Sequence, residues 1–173
     1  ENRMKKIMRR TCQLTIAAGA ALLFGFLGQI RAESDAKLAP KVKEAMQEMI
    51  AECGKIGPPK LEGTALLFGS TRMNGNYTLV DSLKEKFKCT ATFFAKKGDG
   101  FVRVATNVIK DDGSRAVGTV LDPNGPAIAA INKGGAYYGI ADILGKKFET
   151  GYEPIKNATG EIIGVYYIGF RLE

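Results

Sequence analysis

From Cys89 onward the chain is cut at short intervals by residues that favour tight turns, and this punctuation limits the fold more than any other feature. Lys97-Gly98-Asp99-Gly100 separates two β-rich stretches, Asp111-Asp112-Gly113 separates two more, and residues 157–160 separate the last pair. Turns this short join antiparallel neighbours, because a parallel return needs a crossover of a dozen residues or more. The stretches so delimited (89–95, 101–108, 116–121, 136–140, 148–155 and 162–172) are rich in β-branched and aromatic residues. One short helix fits among them at 126–132, carrying Ile128 and Ile131. The pattern predicts a meander of five or six antiparallel strands with one inserted helix.

Ahead of these strands the periodicity is helical. Leu38, Val42, Met46, Met49, Ile50 and Cys53 recur at three- and four-residue steps over residues 35–53, which makes one apolar stripe. Ser34 or Asp35 can cap this helix, Pro40 is tolerated in its first turn, and Gly54 followed by Gly57-Pro58-Pro59 ends it. The stripe is expected to pack on its own domain, with a dimer seam or a receptor contact as the alternative. Residues 64–68 have strand length, Asn74-Gly75-Asn76 is a turn signal, and 78–87 return to helical spacing through Leu79, Val80, Leu83 and Phe87. A helix first and a turn-punctuated sheet after it is an α+β pattern, with the helices covering one sheet face. No repeat or second globular domain is visible.

The formal charge of +7 comes from 25 basic and 18 acidic side chains. Six of the former and one of the latter lie in residues 1–32, which leaves 19 and 17 beyond them. Lys5, Lys6, Arg9 and Arg10 precede the apolar run of residues 14–30, and Arg31-Ala32-Glu33-Ser34 follows it. A basic start, an apolar centre and a small residue before a polar stretch are the parts of a secretory signal peptide, here cleaved after Ala32. An uncleaved membrane anchor is the alternative, since 17 residues fall at the short edge of a span. Residues 33–173 are then expected outside the cytoplasm, in the periplasm, as one domain. Nucleic acid is not an expected partner of so nearly neutral a domain, and membrane contact is expected only through an uncleaved leader.

The sequence contains no histidine. That excludes a Ser-His-Asp triad, a Cys-His nucleophile, histidine zinc ligands and CxxCH haem attachment. No glycine-rich phosphate loop follows a strand and opens a helix. Asp111-Asp112 with Asp99 reads as turn chemistry, so no metal, cofactor or catalytic residue is expected and the chain reads as a binder. Cys53 and Cys89 are an even pair in an oxidising compartment. A disulfide between them and two buried free thiols both remain open.

Seven stretches occur in an order that is recognisable. They are Asn74-Gly75-Asn76 with Val80-Asp81, Ala91-Thr92-Phe93-Phe94, residues 101–108, Gly113-Ser114-Arg115-Ala116-Val117-Gly118-Thr119, residues 138–145, Gly151-Tyr152-Glu153-Pro154-Ile155 and residues 164–169. Over about residues 36–172 the chain resembles the single Cache sensor domain of the Cache-3/Cache-2 fusion type, found outside the membrane in bacterial chemoreceptors and sensor kinases. The resemblance implies a PAS-like fold, with a long N-terminal helix on a central antiparallel sheet and a small-molecule pocket beside it. It also implies a role in chemotaxis or two-component signalling. Receptors of this type continue into a second transmembrane helix and a cytoplasmic module, whereas the sequence given stops at Arg171-Leu172-Glu173. A free-standing exported binder and a piece of a longer receptor are the two alternatives.

Four arginines lie beyond the leader, against fifteen lysines. Arg103 stands between Val102 and Val104, so alternation turns it to the opposite face from both. A desolvated, unpaired guanidinium costs several kcal/mol, so Arg103 requires an anion, and its planar fork suits a carboxylate. An internal salt bridge to Asp81, Asp142 or Glu153 is the alternative to a ligand. Arg115 follows the 111–113 turn, where an exposed hairpin arginine is the alternative. Thr106 and Thr119 offer hydroxyls on neighbouring strands, and Tyr138 and Tyr152 offer rings with polar tips for orienting a ligand. Together with the resemblance, these residues predict a pocket for a small organic acid, anchored by Arg103 and Arg115.

Overall fold

The computed structural model describes residues 38–172, so the predicted leader (1–32) and the cap at Ser34 or Asp35 lie outside the described residues. Residues 38–56 are helical (α1). The stripe predicted for this helix is its buried face: Val42, Ala45, Met46, Met49 and Cys53 are fully enclosed. They enter one core with both sheets, so the stripe packs on its own domain. Three short strands follow, β1 (Pro59–Glu62), β2 (Ala65–Phe68) and β3 (Thr71–Arg72), paired antiparallel in that order. Only β2 is apolar enough to announce itself. Its neighbours are mostly polar and are ordered by pairing with it. Helix α2 (Thr78–Phe87) spans the predicted residues and ends at Lys88, whose backbone is left-handed at φ 59.

The main sheet is formed by β4 (Thr90–Lys97), β5 (Gly100–Thr106), β6 (Tyr137–Ile143), β7 (Lys146–Lys156) and β8 (Ile162–Arg171), with helix α3 (Pro126–Asn132) between β5 and β6. All pairings are antiparallel, and the spatial order is β5-β4-β8-β7-β6. The arrangement therefore departs from a simple meander: the last strand lies in the middle, between β4 and β7. Its composition accounts for this. Residues 162–170 are apolar on both faces, which suits a strand covered on two sides and suits an edge poorly. The predicted strand at 116–121 is also corrected. That segment runs beside β5 only as irregular pairing, through Val102 and Val120 and through bonds from Gly118 N to Arg103 O and from Leu121 N to Phe101 O. Gly118, at φ +84, turns the backbone where a regular strand would have to run straight.

Each face of the main sheet carries its own core. One holds α1, α2 and the small sheet against Ala91, Phe93, Tyr166 and Ile168. The other holds α3 and the 107–125 connection against Phe94, Phe101, Tyr152 and Tyr167. A bulge in the β4/β5 register sends Val104 and Ala105 both to the first core, while Arg103 pairs opposite Phe94 on the second. Gly151 shows how tightly α1 lies on the sheet. A Cβ there would fall 2.8 Å from Val42 Cγ1 and 2.7 Å from the Tyr138 ring, so no side chain fits. Cys53 and Cys89 are buried free thiols with no disulfide between them. Burial pushes their thiols up, Cys53 to about 12 and Cys89 to about 11. No helix among the described residues is long and apolar enough to cross a membrane.

Candidate functional site

Arg103 is only 6% exposed, on an apolar strand. Its backbone is held from both sides, since its N–H donates to Thr119 O and its carbonyl accepts from Gly118 N, both at 2.9 Å. Its Nη1 donates to Thr119 Oγ1 at 2.6 Å, and the Thr119 hydroxyl in turn donates to Ala116 O at 2.9 Å. The guanidinium lies 5.1 Å from the centre of the Phe94 ring, an arrangement that favours the cation. The Nε–H is buried and has no hydrogen-bond partner. No carboxylate among the described residues forms a salt bridge with Arg103, and each of the three candidates is engaged elsewhere. Asp81 binds Arg115, Glu153 accepts from Tyr138 Oη, and Asp142 lies 3.6 Å from Lys147 Nζ. Burial accordingly pulls the Arg103 guanidinium below its ordinary value, while the neighbouring Tyr167 and Tyr152 hydroxyls oppose the shift.

Arg103 opens onto a cavity of about 430 Å³ on the α3 side of the sheet. Thr119 stands beside the guanidinium, Leu121, Ala127 and Ile143 contribute apolar wall, and Tyr152 contributes an aromatic one. The Tyr152 ring packs 4.9 Å from Tyr167 and 6.1 Å from Tyr137, which fixes it at the cavity. Burial raises the Tyr152 hydroxyl well above its ordinary value, so it is a neutral hydrogen-bonding group at any physiological pH. The cavity volume falls within the range of small-molecule sites, which combine mostly apolar walls with a few placed polar groups. A smaller cavity of about 280 Å³ is lined by Ala95, Val102 and Val104, and Arg103 borders it too. Its other cations are weaker anchors than Arg103: Lys97 is exposed, and Lys96 is bound to Glu161 at 3.1 Å.

The six residues predicted to meet at a pocket do not all meet. Arg103, Thr119 and Tyr152 converge on the larger cavity, and the other three are placed elsewhere. Arg115 turns its fork to both oxygens of Asp81 at 2.8 Å, donates also to Thr106 O, and lies 4.3 Å above the Tyr77 ring. The Asp81 bond raises its guanidinium above the ordinary value. It is a clamp between α2 and the 107–125 connection, and its bonds account for its charge without a ligand. Thr106 is fully buried with its hydroxyl spent internally, 2.6 Å from Thr92 Oγ1 and accepting from Val108 N at 3.1 Å. Tyr138 stands opposite Gly151 on the α1 face and donates to Glu153, so the sheet separates it from the cavity.

Other site residues carried no sequence signal of their own. Leu121 and Ile143 are ordinary apolar positions, and Asp122-Pro123-Asn124-Gly125 reads only as a turn. Asp122 Oδ1 does accept from Asn124 N at 2.9 Å as such a turn requires, but the residue also lines the cavity. The described residues contain no cluster of three or more potential metal ligands. Asp112 is occupied as a turn residue, accepting from the Ser114 backbone and hydroxyl.

A comparison with curated proteins returned no match. A family model for the Cache 3/Cache 2 fusion domain matches residues 31–173, which includes every element described above. The N-terminal helix and antiparallel sheets are consistent with such an α+β, PAS-like domain. The chain belongs to the Cache 3/Cache 2 fusion domain family, a family of extracytoplasmic sensor domains that bind small molecules.

Proposed function

We propose that this domain detects a small organic acid in the periplasm and passes its occupancy to a chemotaxis or two-component pathway. One observation carries the reading: a buried guanidinium that borders a cavity and has no ionic partner among the described residues. Leaving a cation so placed costs several kcal/mol, which a fold avoids unless something supplied later neutralises it. A carboxylate is the fitting anion, since its two oxygens match the planar guanidinium's terminal nitrogens. Thr119 holds the guanidinium by its hydrogen bond, and we assign the Tyr152 hydroxyl to orienting the bound group.

A thermal-shift and calorimetric screen of small carboxylates tests the proposal. An acid present at a hundred times its Kd is expected to stabilise the fold by about 2.7 kcal/mol. Arg103→Met is expected to raise the stability of the unliganded protein by about 1–2 kcal/mol, because it removes an uncompensated buried charge. The same variant is expected to lose the response to acids. Equal binding by Arg103→Met, or silence of the native protein toward every acid, defeats the assignment.

A further inference from the structure

We infer that the ligand held at Arg103 is a monocarboxylate with an apolar body, whose aromatic or branched hydrocarbon end points away from the guanidinium. The inference rests on Arg103 as the carboxylate anchor and adds what the rest of the cavity selects. Its charged lining is lopsided. Arg103 is the one buried cation there, and the other lining cation, Lys147, is exposed and lies 3.6 Å from Asp142. Asp122 adds a carboxylate to the lining and forms no salt bridge among the described residues. A second carboxylate on the ligand would therefore find no free cation and would face Asp122, an arrangement that costs affinity.

The surface between these charges suits hydrocarbon. Leu121, Ala127 and Ile143 are buried and apolar, and the Tyr152 ring is held by its aromatic neighbours. Leu144 is the most informative wall residue. It occupies the β6–β7 turn with a left-handed backbone at φ 52, next to Gly145 at φ 79. Asn or Gly meets that conformation with less strain, and leucine gains only part of its burial energy there, since it remains half-exposed. An apolar side chain kept in a strained turn at the cavity is what an apolar ligand body would need.

Calorimetric titration of the full chain with propanoate, 3-methylbutanoate and 3-phenylpropanoate, and with succinate and phenylalanine, tests this. Affinity is expected to rise about fourfold for each methylene buried along the first three. Succinate is expected to bind about tenfold or more weakly than the monocarboxylate of equal length. Phenylalanine is expected to bind less tightly than 3-phenylpropanoate. Affinity that is flat along the series, or tightest for succinate, overturns the apolar body while leaving the anchor standing. Phenylalanine binding more tightly than 3-phenylpropanoate also overturns it, by assigning Asp122 to an ammonium group. Failure of every acid to bind, or equal binding by Arg103→Met, overturns the anchor and this inference with it. Leu144→Asn suits the left-handed turn, so it is expected to raise the thermal midpoint of the unliganded protein. It should also narrow the affinity ratio of 3-phenylpropanoate to propanoate about threefold. An unchanged ratio removes Leu144 from the wall.

Discussion

On one face of the main sheet, α1, α2 and the small sheet bury Phe93, Tyr166 and Ile168 under side chains that are themselves enclosed. On the other, α3 and the 107–125 connection cover Phe94, Tyr152 and Tyr167 but leave a cavity of about 430 Å³. Two arginines from the same part of the chain mark the difference. Arg115 is tied to Asp81 and Thr106 and supports the structure, whereas Arg103 has one hydroxyl partner and a buried Nε–H with none. Close packing away from the smaller cavity at Ala95 and Val104 makes the first face costly to alter, and the larger cavity makes the second able to receive something. The protein joins a stabilising layer and a receiving layer through one sheet whose alternate side chains serve each.

The largest effect expected from this contrast is on core truncation. Phe93 is fully buried and packs against Phe68 and Tyr166 at about 6 Å, so Phe93→Ala should cost about 3–5 kcal/mol. Leu121→Ala beside the cavity should cost about 2 kcal/mol, the low end for leucine, because the space it leaves merges with space already present. Urea midpoints at constant slope measure both. Equal losses would mean that the two faces are packed alike, and the division between them would fall.

Much of this arrangement was legible beforehand, and the failures have identifiable causes. The α1 stripe, α2 and α3 were readable because each is bounded by turn residues and carries apolar positions at helical spacing. Five main strands were readable because glycine-rich turns separate them. Their order was not, since turns specify which strands are joined and say little about which strands pair. The apolar run of 162–170 did mark a central strand, but alternation hides that signal when both faces are apolar. Strands β1 and β3 are two to four mostly polar residues each and exist through their pairing with β2. At the site, Arg103 was legible because an arginine between two valines is chemically conspicuous. Arg115 is equally conspicuous but has a different fate, because its partner Asp81 lies 34 residues away and no local pattern records the meeting. Tyr138 and Tyr152 resemble each other in sequence, yet the sheet register sends them to opposite faces.

A mid-sized effect should separate the faces by pH. Cys53 and Cys89 both belong to the closed face. Burial holds their thiols neutral to about 12 and about 11, against an ordinary value of 9.0 once unfolded. Above that ordinary value the unfolded chain releases protons that the folded chain retains, so stability must fall as pH rises. The expected loss is about 2–3 kcal/mol between pH 8 and pH 10, over which unfolding midpoints can be followed. A Cys53→Ala/Cys89→Ala variant should show a shallower decline. An identical decline would assign the loss to other groups and take the thiols out of the comparison.

The smallest effect concerns the tie between the two layers. Arg115 anchors the connection that carries Thr119, and through Thr119 it bears on the position of the Arg103 guanidinium. Its side chain is about a third exposed, so solvent weakens the ion pair with Asp81 in spite of its two-pronged geometry. Arg115→Ala should therefore cost only about 0.5–1 kcal/mol of stability, and a double-mutant cycle with Asp81→Ala should give a coupling of about the same size. If Arg115 only positions the site, the variant should still bind the acid that the native protein binds, with affinity lowered about twofold to fivefold. Arg103→Met should abolish the same binding. Were Arg115→Ala to lose binding as fully as Arg103→Met, Arg115 would have to leave Asp81 and reach the ligand. The contrast between a structural arginine and a receiving one would then give way to a shared anchor.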